Sequence, residues 1–209
     1  MKPVIILGAG GHAKVLLDAL LSSERKVIGL TDFDKKKWGS LVNGVPVLGG
    51  DEVVFSYNTD EIELVNGMGS VGSMNKRKNI YEYFKNKAYL FSNVIHPSAI
   101  VSSNAVLANG VQLLPGCIVN AGAFIGDNSI VNTRASIDHD VSIGSHVHIA
   151  PGVTISGGAT IGDCTHIGTG ATVIQGVHIG SNVLIGAGAV VVKDIPDNGK
   201  AYGVPAREV

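Results

Sequence analysis

The chain has 209 residues, with 16 Lys and Arg against 17 Asp and Glu, so its formal net charge is -1. This near-neutral balance gives no electrostatic reason to expect nucleic-acid binding, and no apolar run approaches the roughly 20 residues that cross a bilayer. Glycine is frequent at 28 residues, aromatic residues make up only 5% and apolar residues 45%, which indicates an aliphatic core with many tight turns.

Length and cysteine content set two further expectations. A chain of this length has room for two small domains. Cys117 and Cys164 have neither the spacing of a metal site nor that of a disulfide framework, so we expect no metal and a cytoplasmic location. The first apolar run, residues 4–7, is only as long as a strand and is too short for a secretion signal.

The N-terminal region has the pattern of a small α/β domain. Apolar runs predict buried strands at residues 4–7, 26–30 and 61–65, and the periodic apolar positions between Val15 and Leu20 predict a helix after the first strand. We therefore expect residues 1–93 to form a small Rossmann-like parallel sheet.

Residues suited to ligand binding follow each predicted strand. A glycine turn at the start of a helix lets the backbone approach a phosphate, whose charge the helix N-terminus stabilises. A carboxylate at the end of the second strand could meet a ribose or a base edge. The candidate nucleotide-binding residues are Gly10, Gly11, His12, Thr31, Asp32 and Gly67.

Two other interpretations of the glycine turn remain. A tight turn without any ligand would explain the glycines alone. A nicotinamide dinucleotide is less favoured, because the α/β part ends near Asn93 and lacks the second half that a dinucleotide usually spans. We expect the domain to bind the mononucleotide portion of a sugar nucleotide.

From Ile95 onward, an aliphatic residue recurs every six positions through Val191, and the residue four places later is nearly always small or β-branched. Each hexad thus has two inward positions on a short strand, followed by a corner rich in Gly, Asn and Asp. Short strands bury their faces only when successive coils stack. The pattern predicts a parallel β-helix over residues 94–195 and a C-terminal tail over residues 196–209. The period does not determine the handedness.

If three hexads make one coil, residues eighteen apart lie above one another. His139 and Asp140 then occupy a corner between small residues, with Ala121 and Gly122 on one side and Gly157 and Gly158 on the other. The imidazole and the carboxylate would stand in a groove free of other side chains. Asn132 and Asp138 occupy successive corners near the pair.

The outward strand positions of the early coils are unexpectedly apolar. A monomer rarely leaves such a surface exposed to water, so we expect neighbouring subunits to cover most of it, with a contribution from the N-terminal domain. The residues of this apolar stripe are Ile100, Val106, Ile118, Phe124 and Ile130.

The repeat resembles the hexapeptide-repeat acyltransferases, and this resemblance implies a left-handed β-helix, a homotrimer and active sites between subunits. The whole chain resembles the bacterial nucleotide-sugar acetyltransferases that N-acetylate 4-amino-4,6-dideoxy sugars, including the bacillosamine-type UDP-sugar and the perosamine enzymes, and the related sialic acid O-acetyltransferases. The segments that carry this resemblance are residues 6–12, 31–33, 132–148, 192–196 and 202–207.

The resemblance implies acetyl-CoA as co-substrate and a role for each site residue. His139 would be the general base and Asp140 the carboxylate that orients it, where the bacillosamine enzymes have His-Glu. Asn132 and Asp138 would support the pocket, and His148 would contact acetyl-CoA. From the groove, we expect the Gly157 N–H to stabilise the oxyanion. The expected pantetheine channel comprises Gly168, Thr169, Gly186 and Ala187.

Several functions remain open at this point. We expect N-acetylation of a nucleotide-linked 4-amino sugar for glycan biosynthesis, with a UDP sugar ahead of GDP and dTDP sugars. The alternatives are O-acetylation of sialic acid or another hydroxyl acceptor, and a non-catalytic β-helix resembling the γ-carbonic anhydrases. The last of these needs a histidine triad for its metal, which His139, His148 and His166 do not convincingly supply.

Overall fold

The computed structural model describes residues 1–70 and 73–209. Its N-terminal part is a five-stranded sheet in the order β3-β4-β2-β1-β5. The strands are β1 Val4–Leu7, β2 Val27–Thr31, β3 Leu41–Val42, β4 Val45–Gly49 and β5 Glu63–Asn66. The helices are α1 Gly11–Ser22 and α2 Asn75–Lys85, with short 3-10 helices at Lys35–Lys37 and Asp51–Ser56.

In this sheet β1 pairs in parallel with both β2 and β5, and only β3 pairs antiparallel. The ends of β1, β2 and β5 therefore meet at one edge, as the sequence predicts. The β3–β4 hairpin, which extends the sheet beyond β2, is not predicted from the sequence. The four residues of β1 are fully buried, because helices pack on both faces of the sheet.

The second part consists of two-residue strands that recur every six residues. They are β6 Val94–Ile95, β7 Ile100–Val101, β8 Val106–Leu107, β9 Gln112–Leu113, β10 Ile118–Val119, β11 Phe124–Ile125, β12 Ile130–Val131, β13 Ser136–Ile137, β14 Ser142–Ile143, β15 His148–Ile149, β16 Thr154–Ile155, β17 Thr160–Ile161, β18 His166–Ile167, β19 Thr172–Val173, β20 His178–Ile179, β21 Leu184–Ile185 and β22 Val190–Val191.

From β6 to β19, each strand pairs in parallel with the strand three places further along the chain, so the strands form three sheets, which are the three faces of the β-helix. We call the face that begins with β6 the first face, that with β7 the second and that with β8 the third. Ser136 pairs with Ile118 on one side and with Thr154 on the other, a separation of eighteen residues in each direction. The prediction of three hexads per coil is confirmed.

One aliphatic column fills the interior of the β-helix. From Leu113 onward the large residue of each hexad and the smaller residue before it are buried. Cys117 belongs to this column, and burial raises the pKa of its thiol to about 12. Cys117 is thus a core residue, as its inward position in the hexad predicts.

Each corner contains a residue in the left-handed conformation, at the same place in every hexad from Gly110 to Gly188. Glycine, Asn and Asp tolerate positive φ best, which explains the composition of the corners. Asp140 has φ of 57° and occupies this position in its hexad.

The C-terminal segment continues the first face. Strand β23, Lys200–Tyr202, pairs in parallel with β21, and β24, Arg207–Glu208, turns back antiparallel along it. No helix in the described part of the chain is long and apolar enough to cross a membrane.

The N-terminal part packs on the first face of the β-helix. Leu114 and Ile130 share one core cluster with Leu16 and Leu17 of α1. Ile130 is therefore fully buried within the protomer. From the sequence we expect neighbouring subunits to cover most of the apolar stripe with a contribution from the N-terminal domain, and the N-terminal part makes that contribution at Ile130. Ile100, Val106 and Phe124 are 65%, 58% and 42% exposed, so most of the stripe remains uncovered in one chain.

Candidate active site

A cavity of about 660 Å³ lies between the α/β part and the first face of the β-helix. The glycine turn forms one wall, the residues after β2 form a second, and the loop after β5 forms a third. Three residues of the β-helix, Leu114, Asn132 and His148, close its far side. The lining residues are Gly8, Ala9, Gly10, Gly11, His12, Val15, Asp32, Phe33, Lys37, Asp51, Gly67, Met68, Gly69, Ser70, Ile80, Leu114, Asn132 and His148.

The glycine turn presents bare backbone to this cavity. Gly10 caps α1, and a Cβ atom added to Gly10 or Gly11 would meet no atom within 4 Å. Gly8 has φ of 99°, a conformation that favours glycine. The turn therefore offers an accessible helix N-terminus of the kind that binds phosphate.

Asp32 is 5% exposed and organises the second wall. Its Oδ2 atom accepts hydrogen bonds from the Ala9 N–H at 3.1 Å and from Lys37 Nζ at 2.7 Å, and its Oδ1 accepts from the Asp34 N–H. Burial alone would raise the pKa of this carboxyl, but the bonds from Lys37, Asp34 and Ala9 outweigh burial and hold the pKa below its usual value. Asp32 thus fixes the glycine turn and holds a cation at the cavity rim.

Thr31 is fully buried and donates from its hydroxyl to Asp51. Its side chain also lies 3.4 Å from the Gly8 N–H. The predicted ligand residue Thr31 therefore connects two walls of the cavity but does not line it. Gly67 does line it, and a Cβ atom there would lie 2.7 Å from Ile6 and from the Leu7 carbonyl oxygen. Close packing at the strand end thus requires glycine at position 67.

His12 connects the cavity floor to the β-helix. The side-chain amide of Gln112 donates to the Asn66 carbonyl, so its oxygen accepts from His12 Nε2 at 2.7 Å. Burial, followed by the charge of Arg77, lowers the pKa of His12 to about 4. His12 is therefore neutral at physiological pH, with the proton on Nε2, and Nδ1 is a hydrogen-bond acceptor.

His148 is 6% exposed and is held on both ring nitrogens. Nδ1 donates to the Ser70 carbonyl at 3.1 Å, and Nε2 accepts from the Asn132 amide at 3.1 Å. Burial, then the charges of His166, His12 and Arg77, lowers the pKa of His148 to about 3. This neutral imidazole joins the loop after β5 to the corner that follows β12.

His139 and Asp140 form a hydrogen-bonded pair on the corner between the second and third faces. His139 Nδ1 lies 2.9 Å from Asp140 Oδ2, and the imidazole side chain is 57% exposed. The Asp140 hydrogen bond, followed by the charge of Asp138, raises the pKa of His139. Asp138 accepts from the His139 N–H at 2.8 Å and from the Asn120 amide.

The stacking rule places small residues around this pair, and the structure agrees. The Asp140 N–H bonds to the Ala121 carbonyl, and the Gly158 N–H bonds to the His139 carbonyl. A Cβ atom on Gly157 would lie 2.6 Å from both Cε1 and Nε2 of His139, so the ring occupies the space that the glycine leaves. The orientation leaves Nε2 available as a proton acceptor.

The pair and the cavity lie on different corners of one protomer. Asn132 lies at the corner after β12, a strand of the first face, whereas His139 lies at the corner after β13, a strand of the second face. His139 does not line the cavity. Apart from the expected channel residues, the predicted site residues therefore form two groups in a single chain: the nucleotide-type residues with Asn132 and His148, and His139 with Asp138, Asp140 and Gly157.

The residues expected to line the pantetheine channel lie on later coils. Gly168 and Gly186 follow β18 and β21 and are buried, whereas Thr169 and Ala187 are exposed at the same corner. A Cβ atom on Gly168 would lie 2.6 Å from the Ala187 nitrogen, so close stacking of the coils requires glycine there. None of the four lines the cavity.

The sequence alone assigns no role to several residues that line the cavity or contact its lining. Phe33, two residues after β2, is 90% exposed, and Lys37 and Asp51 also line the cavity. Ser70 contacts His148, and Gln112 contacts His12. Phe33 directly follows Asp32. An aromatic residue beside a carboxylate at the end of a predicted strand is the sequence feature that could have identified it as a ligand-binding residue. Within residues 1–70 and 73–209, no group of three His, Cys, Asp or Glu side chains has a metal-binding arrangement.

Comparison with known families adds independent information. Residues 3–84 match the family model described as the PglD N-terminal domain. Residues 122–157 and 158–193 each match the family model of the bacterial transferase hexapeptide, a unit of six repeats.

Solved structures resemble the whole chain. A histidine-to-asparagine mutant of perosamine N-acetyltransferase from Caulobacter crescentus, in complex with CoA and GDP-perosamine, is 36% identical over 100% of this chain and 97% of that chain, with a TM-score of 0.92. The acetyltransferase domain of PglB from Neisseria gonorrhoeae, in complex with acetyl coenzyme A, is 35% identical over 100% and 99%, with a TM-score of 0.91. WeeI from Acinetobacter baumannii, at 24% identity, shares the fold with a TM-score of 0.86.

Proposed function

Because this chain belongs to the hexapeptide-repeat family of nucleotide-sugar N-acetyltransferases, we propose that it transfers the acetyl group of acetyl-CoA to the 4-amino group of a nucleotide-linked 4-amino-4,6-dideoxy sugar. One observation carries the proposal. The cavity has a phosphate-type glycine turn on one side and two polar residues of the hexapeptide repeat, Asn132 and His148, on the other.

The lining chemistry orients the acceptor. The nucleoside lies at the end of β2, where the exposed ring of Phe33 offers a stacking surface and Asp32 a hydrogen-bond acceptor. The diphosphate lies over Gly10 and Gly11 at the N-terminus of α1. The amino sugar then extends toward Asn132 at the β-helix.

His139 acts as the general base in this proposal. As the amine nitrogen attacks the thioester carbon, the C–N bond forms and Nε2 of His139 takes the amine proton. The tetrahedral intermediate then breaks its C–S bond, and the departing thiolate receives a proton from the imidazolium. Asp140 holds the opposite ring nitrogen, which fixes the tautomer that leaves Nε2 free.

The Gly157 N–H remains the proposed oxyanion donor, since it lies on the coil next to His139. The corner containing Gly168, Thr169, Gly186 and Ala187 remains the proposed pantetheine channel. Acetyl-CoA is the co-substrate, as the complexes of the relatives with CoA and acetyl coenzyme A support.

A homotrimer would bring the two groups of residues together. Within one chain the base and the acceptor cavity lie on different corners, so the corner of a second protomer has to approach the cavity. Ile100, Val106 and Phe124 remain exposed on the second and third faces, which supports subunit contacts there. We propose that each active site combines the cavity of one protomer with His139 of another.

We favour a UDP sugar as the acceptor. A GDP sugar is the second candidate, because the perosamine N-acetyltransferase was solved with GDP-perosamine and is 36% identical to this chain, against 35% for the PglB domain. The test supplies acetyl-CoA with UDP-, GDP- and dTDP-4-amino sugars and follows thiol release, with product mass identifying the amide. The matched control is the corresponding 4-hydroxy sugar nucleotide. We expect release with the amino sugars only. Preferential acetylation of the hydroxyl compound, or of sialic acid, would exclude the N-acetyltransferase assignment.

A further inference from the structure

Arg77 of α2 is the largest fully buried side chain near the cavity, with no exposed surface. Its Nη1 donates to the carbonyl oxygen of Asn66, the last residue of β5, at 2.9 Å and to that of Met68, in the loop after β5, at 2.7 Å. Its Nε donates to the Asn128 carbonyl of the β-helix at 3.1 Å. One guanidinium therefore joins helix α2, the cavity loop and the second part of the chain.

No carboxylate compensates this cation. Among residues 1–70 and 73–209, no Asp or Glu side chain forms an ion pair with Arg77, and Nη2 has no hydrogen-bond partner. The two other residues of the chain, at positions 71 and 72, are Val and Gly and carry no charge. A buried charge without a counter-ion is costly, so its retention needs an explanation beyond packing.

We infer that Arg77 is a positioning residue for the acceptor's diphosphate: it turns the loop of residues 66–70 into an anion-binding wall and supplies the positive charge behind that wall. This inference rests on the proposed binding of a nucleotide sugar in the cavity. It identifies Arg77 as acting through the loop, because its own side chain does not line the cavity.

The geometry of the loop supports this role. The carbonyl oxygens of Asn66 and Met68 point to the guanidinium, so their negative ends are directed away from a ligand in the cavity. Gly69 and Ser70 follow and line the cavity opposite the glycine turn. A diphosphate would thus lie between a helix N-terminus on one side and a loop backed by a cation on the other.

The electrostatics of the neighbouring side chains agree. The charge of Arg77 contributes to the lowered pKa of both His12 and His148. For His12 only burial has a larger effect, and for His148 burial and the charges of His166 and His12 have larger effects. Both imidazoles are consequently neutral at physiological pH. The cation behind the loop therefore remains the main buried positive charge available to an anion, and low-dielectric surroundings strengthen its effect.

The test compares UDP with uridine by isothermal titration calorimetry. In the native protein we expect UDP to bind more tightly than uridine. In Arg77→Met we expect UDP affinity to fall by roughly 10–100-fold, while uridine affinity changes by less than about threefold. Arg77→Lys, which keeps the charge but loses the forked donors, should retain an intermediate preference for UDP. Lys78→Met is the matched control, since it removes the same charge from the exposed side of α2.

A second variant tests the charge with Arg77 in place. Asn128→Asp adds a carboxylate to the residue whose carbonyl already accepts from Arg77, at a left-handed position that Asp tolerates. It should reduce UDP affinity selectively, even if Arg77→Met fails to fold. Equal weakening of UDP and uridine in either variant, or unchanged UDP affinity in Asn128→Asp, would overturn the inference. The same comparison is made with GDP and guanosine and with dTDP and thymidine. A native protein that binds none of these nucleoside diphosphates would contradict the proposed function itself.

Discussion

Gly157→Ala is the change whose effect on catalysis follows most directly from the geometry. The new Cβ atom would lie 2.6 Å from Cε1 and Nε2 of His139, whereas carbon atoms in contact are about 3.5–4.0 Å apart. The ring must therefore move by about 1 Å. Because the His139 side chain is 57% exposed, it can swing outward without disturbing the coil.

We expect kcat to fall by roughly 10–100-fold, since a misplacement of about 1 Å is enough for a loss of this size. The free energy of unfolding should change by less than about 1 kcal/mol, because Gly157 has no left-handed φ and only the exposed ring has to move. Steady-state thiol release and thermal denaturation measure the two quantities.

The double variant with His139→Ala is the control. If Gly157→Ala acts only by displacing the imidazole, adding it to His139→Ala should reduce kcat no further. Alanine keeps the N–H that we assign to the oxyanion, so this control separates the two roles of Gly157. Unchanged kcat in Gly157→Ala would show that the space beside the ring does not matter for catalysis.

Four further outcomes follow from the site. His139→Ala should reduce kcat by about 10²–10⁴-fold while UDP binding persists, and near-native kcat across the pH range would exclude it as the base. Asp140→Asn removes the carboxylate that raises the pKa of His139; because the base must be unprotonated, the acidic limb of kcat/KM should move to lower pH, and an unmoved limb would argue against this pairing. Asp32→Ala should raise KM for the acceptor and leave that for acetyl-CoA nearly unchanged, with the reverse pattern refuting its assignment. Phe124→Asp should dissociate the trimer and lower activity together in sedimentation and rate assays, whereas a native protein that sediments as a monomer at micromolar concentration would contradict the trimer.

The β-helix could be predicted because its physics is local and periodic. Two inward positions per hexad define the strand, and the eighteen-residue stacking follows from three hexads per coil. This regularity is strong enough to locate individual side chains, and His139 does lie against Gly157 as the rule requires. Handedness is different, since the period is the same for either hand and only resemblance suggested the left.

The contacts between the two parts of the chain could not be predicted. Ile130 and Phe124 are both apolar residues at outward strand positions, yet the α/β part covers the first and leaves the second exposed. Arg77 lies in a run of charged residues that suggests a solvated helix face, whereas tertiary packing buries it completely. His148 was assigned from resemblance, and its bonds to Ser70 and Asn132 depend on how the two parts dock.

The coiled geometry restricts how the position of His139, the proposed base, can be adjusted. Inserting one hexad would carry His139 to another face, and inserting three would shift it by a whole coil, about 4.8 Å. Changes in the number of hexads can thus move the proposed base only in coarse steps. Finer adjustment has to come from side-chain length, and in the proposed site Asp140, one methylene shorter than glutamate, would be an adjustment on that smaller scale.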